Sequence, residues 1–473
     1  MRPALTRRRL LGGAAASALA AAGVYELVDR LTDSPVRPQV SGPLAEQHLL
    51  EGVQVVVDNG VEVLVPPLHH QVVTARLAVD EGRSALREAK AELEDVLRRL
   101  DERFQPSPAG LGATVAWGLP YFRRLVPGPA ARHLPVDRRA TAARGKRVLV
   151  LEDAVRFPSD PAETILEQND VAVLLRSDSL EHVAEGAREL FDGRADLFRV
   201  TSIRKGFAGG GFGGARSLPK RMAMAAGIPG ADLIPETAEL FLGFTSTQKA
   251  GLGPPRIANV ETLGYSDLRP SAYFARGTHM HLSHLTEDLE AWYLNFDHQE
   301  RVDTTFRPGL AVAAGTQTVA QDPDDVQSGA EVGKDYERFR RIGHSGSIQP
   351  SSRLDDDVTG PDGTVYPRGT AVPHRADFNT LDNPFFWSAD PVRDGLDETP
   401  AAGVHFVVFN PTADDFRRNR LAMDGVMPDG SVLPFEPRSR GQGFNEILRT
   451  THRQNFLVPP RAHRSFPLAE LLR

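Results

Sequence analysis

The sequence predicts an α+β protein built from two related domains with antiparallel sheets. Three observations carry this expectation. The chain has 473 residues, more than one core usually spans. Its apolar residues alternate with period two in several short runs and take helical spacing in the runs between them. The order of those runs in the first half then returns, more loosely, in the second.

Residues 30–68 are rich in Pro, Gly and Val and read as a linker followed by a hairpin. Gln54-Val55-Val56-Val57 and Val61-Glu62-Val63-Leu64-Val65 flank Asp58-Asn59-Gly60. An Asn-Gly pair supplies the left-handed backbone that a tight hairpin turn needs. His69-His70 reads as a turn ahead of a strand running to Val79. Glu81 to Phe104 has helical spacing, with Leu86, Leu93, Val96, Leu97 and Leu100 on one face. Ala113–Trp117 and Val171–Leu175 are strand-like, Leu180–Phe191 is an amphipathic helix, and Leu197–Thr201 is a further strand. Strand, helix, strand, strand, helix, strand is the ferredoxin-like order. In the second half, His279–Leu285 and His405–Phe409 read as strands, and Leu289–Phe296 and Ala413–Leu421 as helices. Long insertions fall at 301–340 and 353–400, and the domain boundary lies near 205–240. The chain thus divides into 69–220 and 221–473.

The N-terminus carries a separate signal. Arg7, Arg8 and Arg9 precede an Ala-rich stretch from Gly12 to Val24, and Ala18-Leu19-Ala20 offers a small-x-small cleavage site. Residues 1–30 therefore read as a twin-arginine export signal. The stretch is shorter than the roughly 20 residues a membrane span needs, although an uncleaved anchor stays open. The expected location is extracellular, periplasmic or at the cell envelope. The twin-arginine machinery carries folded proteins, which suits a protein that takes up a cofactor before crossing.

Composition narrows the chemistry. There are no cysteines, so disulfides, thiolate nucleophiles, iron–sulfur clusters and thiolate zinc sites are excluded. Any metal or cofactor must be held by His, carboxylate or backbone groups. Net charge is -7 with acids and bases interspersed, so the basic footprint of a nucleic-acid partner is missing.

Several stretches, taken in order, resemble the dye-decolourising (DyP-type) haem peroxidases. They are Ala113–Phe122, then Gly206-Phe207 after a strand, and Gly277–Trp292, which ends in Asp288-Leu289-Glu290-Ala291-Trp292. His298-Gln299-Glu300-Arg301-Val302, Gly343–Pro350, Val404–Phe409, Asn445–Leu448 and Phe456–Pro460 follow. The resemblance spans roughly 70 to 456. It implies two ferredoxin-like domains, with haem b (iron protoporphyrin IX) in the C-terminal one. It also implies an enzyme that reduces hydrogen peroxide and oxidises an organic reductant. A homo-oligomer stays open.

Carried over residue by residue, the resemblance puts the axial iron ligand at His344, six residues before Pro350. Neutral imidazole offers the lone pair that haem iron needs. The distal Arg falls at Arg375, where it would stabilise negative charge as the O–O bond breaks. The family's distal Asp lies in a Gly-x-x-Asp-Gly motif that borders the haem. Here that place reads Gly243-Phe244-Thr245-Ser246-Thr247, so Ser246 stands where the acid belongs. A hydroxyl has no useful pKa near neutrality and cannot act unaided as the proton carrier. Asp267 and Asp377 are the alternative carboxylates. The second expectation is therefore a catalytically weakened haem-binding protein that stores, senses or transfers haem.

Other features were weighed against plainer readings. His279 and His281 share one face of a strand and His284 takes the other. They could bind a metal or line a pocket, but histidines satisfied within a strand are the favoured reading. The run Gly206–Gly214 lacks the ending of a phosphate cradle and reads as a loop by the pocket. Asp322–Asp325 and Asp355–Asp357 read as solvated loops. Trp117, Trp292, Trp387, Tyr273 and Tyr293 could relay electrons, or simply pack.

Overall fold

A computed structural model describes residues 24–32, 37–38, 40, 42, 44–58, 61–211, 215–244, 257, 259–316, 319, 326–381 and 400–472. The predicted hairpin is present: β1 (Gln54–Asp58) pairs antiparallel with β2 (Val61–Val65), Asp58 opposite Val61. The first half then runs β3 (His69–Leu77), α1 (Arg83–Arg103), β4 (Gly112–Gly118), β5 (Val171–Ser177), α2 (Leu180–Phe191) and β6 (Phe198–Phe207). In space the strands lie β6-β3-β5-β4, all antiparallel, which is the ferredoxin-like arrangement. The Leu face of α1 buries against Val115, Val173 and Leu175 on the outer side of this sheet. Each such side chain contributes about 1.5–3 kcal/mol when fully buried.

The second half repeats the arrangement with more between the elements. It runs β7 (Thr278–Glu287), α3 (Leu289–Leu294), α4 (His298–Thr305), α5 (His344–Ser352), β8 (His374–Arg375), β9 (Phe378–Thr380), β10 (Gly403–Asn410), α6 (Ala413–Met423) and β11 (Leu448–Val458). The order is β11-β7-β10, with β8 and β9 both on the far side of β10. Two strand pairings close the halves on each other: Trp117 and Gly118 of β4 pair with Leu457 and Phe456 of β11, and Asn379 of β9 meets Phe207 of β6, while Ile165–Leu166 also runs parallel to β11. The strands therefore close into a ring. Val72, Ala116, Leu174, Met280, Leu282, Val407, Phe409 and Phe456 fill its interior.

Three sequence expectations need correction. His69-His70 is not a turn but the buried start of β3, and His69 Nε2 lies 2.6 Å from Asp29 Oδ1. Residues 24–30, assigned to the export signal, are helical together with Leu31 and belong to the fold. Tyr25 and Val28 pack with Phe207, Leu218 and Met222, and Tyr25 Oη lies 3.1 Å from Thr380 Oγ1. The arginines and most of the Ala-rich stretch lie outside the described residues. The expected linker also contributes to the interior, because Gln47 Nε2 donates to the carbonyls of Val115 and Pro459 at 3.0 and 2.8 Å. Beyond these corrections, the two expected insertions hold structure of their own. The first carries a helix, Gly329–Phe339, opened by a capping box between Ser328 and Glu331. The second carries a hairpin, Val358–Thr359 with Val365–Tyr366, and then β8 and β9. Among the described residues no helix is long and apolar enough to cross a membrane.

Candidate functional site: a cavity between the second sheet and its helices

Alternation along the second sheet separates two environments. Met280, Leu282, Val407 and Phe409 point into the ring. Ser283, Leu285 and Glu287 of β7 and Val404, Phe406 and Val408 of β10 point the other way, into a cavity. The facing wall comes from α5 and α6, with His344, Ile348, Phe416, Arg420 and Met423. The cavity encloses about 1370 Å³, its open mouth included.

His344 opens α5, and two glycines decide how closely that helix approaches. A Cβ on Gly343 would sit 2.1 Å from the Phe306 carbonyl oxygen at the end of α4. One on Gly346 would sit 2.2 Å from Gln327 Oε1. With glycine at both places, the Gly346 N–H donates to Phe306 O at 2.7 Å and the start of α5 is held against α4. The imidazole stacks on Phe444 at 4.6 Å. Its Nδ1 is buried without a hydrogen-bond partner. Burial, reinforced by the positive charges of Arg375 and Arg420, holds the imidazole down to about 3. It is neutral across the physiological range and keeps a lone pair available.

The expected Gly243-Phe244 pair is placed by the helix after β7. Asp288 caps α3, its side chain accepting from the Ala291 N–H. This presents Trp292, whose Nε1 donates to Leu242 O at 2.9 Å, and Tyr293, whose hydroxyl donates to Phe241 O at 2.6 Å. Gly243 takes φ +85°, where a Cβ would lie 2.9 Å from the Tyr293 hydroxyl. Phe244 lies edge-on to Phe306 at 5.4 Å and, with Leu242, lines the cavity. Ser246, together with Thr245, Thr247 and Gln248, lies outside the described residues.

Arg375 lines the cavity from β8, and its Nε donates to Asp377 Oδ1 at 3.0 Å. Asp377 lines it too, two residues on. Asp267, the other alternative carboxylate, is elsewhere and accepts from the Val136 N–H at 2.8 Å.

Three functional candidates escaped the sequence reading. Glu287 lines the cavity, and its Oε2 is sealed from solvent without a partner. Burial, with the charge of Asp377 added, pushes its carboxyl up to about 8. Arg353, just past α5, has Nε and Nη1 buried without partners. Burial and the neighbouring Arg375 bring it down to about 9. Ser283 is the third. His281 Nδ1 donates to Asn455 Oδ1 at 2.7 Å, while Asn455 Nδ2 is committed to the Glu152 carbonyl at 3.0 Å. This fixes the tautomer, so His281 Nε2 accepts from the Ser283 hydroxyl. Sequence gave no signal for these roles, because each depends on which strand face meets the cavity.

The remaining features fall into place around the site. His281 stacks on Phe416, and His284 points into the ring beside His405 at 4.9 Å. Among the described residues no group of three or more His, Asp or Glu could hold a metal ion. Trp117 donates to the Arg464 carbonyl at 2.9 Å within the first core. Trp387, Asp322–Asp325 and Phe212–Gly214 lie outside the described residues.

Two ferredoxin-like halves closed into a ring, with a large cavity on the outer face of the second, define the DyP-type fold. The chain resembles a putative DyP-type peroxidase from Shewanella oneidensis at 14% identity, over 86% of this chain and 96% of that one, with a TM-score of 0.50. An encapsulated DyP-type peroxidase from Mycobacterium smegmatis matches at 15% identity over 85% and 95% of the two chains, TM-score 0.49. A Rhodococcus jostii DypB variant in complex with heme matches at 14% over 87% and 97%, TM-score 0.47. At such identities the likeness is one of fold. By sequence the chain belongs to a family of unknown function (DUF7405), which it matches over residues 67–460. No curated protein matches it.

Proposed function

We propose that the protein is a haem-dependent peroxidase, exported by the twin-arginine route, with His344 as the axial iron ligand. One observation carries the reading: a neutral imidazole stands in the wall of a largely apolar cavity, which Arg375 also lines. The residues present fit a haem. Leu242, Phe244, Leu285, Val404 and Phe406 offer apolar surface to a flat macrocycle. Arg375 offers positive charge at the cavity wall to a propionate, and the nearby buried Arg353, whose Nε and Nη1 lack partners, adds to that positive field.

When bound, haem supplies the two electrons that split peroxide and recovers them from an organic reductant. The chain's own residues do the rest. His344 holds the group in place, and Nδ1 has no carboxylate to strengthen the imidazole as a donor. Arg375, restrained by Asp377, presents N–H groups to the charge that develops on oxygen. The apolar strand wall limits water. The paired arginines ahead of an apolar stretch support export, and export of the folded protein would carry the cofactor across.

A second reading, haem storage, sensing or transfer, is favoured by Ser246 at the place of the family's acid. Adding haem to the purified protein and recording its absorption separates haem proteins from a scaffold without one. A Soret band is expected, and its absence would overturn both readings. Peroxide-dependent oxidation of a dye then separates the two. Turnover supports the peroxidase, and bound haem without turnover supports the carrier.

A further inference from the structure

We infer that Asp377 is the proton carrier of this cavity, with Glu287 as the positioning residue that shares its proton, in place of the acid missing at Ser246. The inference rests on the peroxidase reading and names the acid–base group of that same site.

Proton transfer needs a carboxylate that faces the reacting atoms and is held in one orientation. Asp377 meets both requirements. It lines the cavity, and Arg375 Nε fixes its Oδ1 at 3.0 Å, leaving Oδ2 outside that hydrogen bond. The two side chains are two residues apart and both project into the cavity, so the anion-stabilising group and the proton carrier are delivered together. Glu287 reaches the same cavity from β7.

Two carboxylates in one apolar cavity do not both ionise easily. Burial and the Asp377 charge hold the proton on Glu287 well into the neutral range. Among the described residues, the charge of Asp377 acts on Glu287, Tyr293 of α3 lies near it, and Arg375 and His344 line the same cavity. Arg375 holds Asp377 in place through its hydrogen bond, while Glu287 keeps its proton. Hydrogen peroxide entering the cavity gives the proton of its inner oxygen to Asp377. The same proton returns to the outer oxygen as the O–O bond breaks, and that oxygen leaves as water with both protons. A bound haem would supply the two electrons and keep the inner oxygen atom, so the carboxyl pair ends as it began.

The test has one arm without haem and one with it. In the haem-free protein, infrared spectra at pH 7 should show the carbonyl stretch of a protonated carboxylic acid, lost in Glu287→Gln. An absent band, or one that survives in Glu287→Gln, overturns the shared proton. In the haem-loaded protein, Asp377→Asn should keep the Soret band and lose about 100-fold or more of peroxide turnover, the usual reach of general acid–base catalysis. Asp377→Glu should restore part of it, and Glu287→Gln should move the pH profile of turnover. Full turnover in Asp377→Asn overturns the inference. A wild-type protein that takes up no haem overturns the peroxidase reading instead, and the infrared arm still decides whether the carboxyl pair shares a proton.

Discussion

Mild acid is a severe perturbation for this fold, because so many of its histidines are buried in neutral form. Burial lowers His279, His284 and His374 to about 3 and His452 to about 2. It takes His70, His281 and His405 well below their ordinary value too. In the unfolded chain each titrates near 6.5. A folded-state value below the unfolded one gives stability that is present above pH 6.5. That stability is lost as pH falls, because only the unfolded chain takes up the proton. Each histidine then costs roughly 1 kcal/mol between pH 7 and 5.5, so the seven together cost several kcal/mol. Glu287 works in the opposite sense, because its value is raised to about 8. It returns about 2 kcal/mol over the same interval. The net loss of several kcal/mol compares with a total stability of about 5–15 kcal/mol for a typical protein. Guanidinium unfolding followed by tryptophan fluorescence should therefore show a midpoint that falls steeply from pH 7 to 5.5. A midpoint unchanged across that interval would refute the assignment of these histidines as buried and neutral.

Three substitutions probe how the cavity is built. Gly343→Ala places a methyl against the Phe306 backbone, which cannot yield as a flexible side chain would. It should cost about 1–3 kcal/mol in denaturant unfolding and weaken haem uptake. Trp292→Phe removes the donor to Leu242 O and should cost about 1–3 kcal/mol, with slower dye turnover as the 241–244 segment loosens. Arg353→Leu removes a buried guanidinium whose Nε and Nη1 lack partners. The haem-free protein should gain thermal stability while haem dissociates faster, and a loss of stability without haem would contradict the anion-binding role.

Much of the fold was legible because burial on one face leaves a periodic trace. The leucines of α1 repeat at helical spacing because one side packs on the first sheet. β3, β4 and β5 are covered on both faces and read as apolar runs. β11 escaped because His452, Gln454 and Asn455 are buried within it, so polarity stopped marking solvent. β8 and β9 are too short for alternation to register. His344, Gly243, Phe244 and Arg375 could be placed through ordered motifs, and the structure brings His344, Phe244 and Arg375 to one cavity. Glu287 and Arg353 were invisible in sequence, since an acid at a strand end and an arginine after a helix look solvated until the fold seals them.

The most direct test of the account is the absorption spectrum of haem-loaded protein with His344→Ala beside the wild type. The account predicts a Soret band in the wild type that is lost or strongly shifted in the variant, with imidazole added to the solution restoring it. A variant that binds haem with the wild-type spectrum would contradict His344 as the iron ligand.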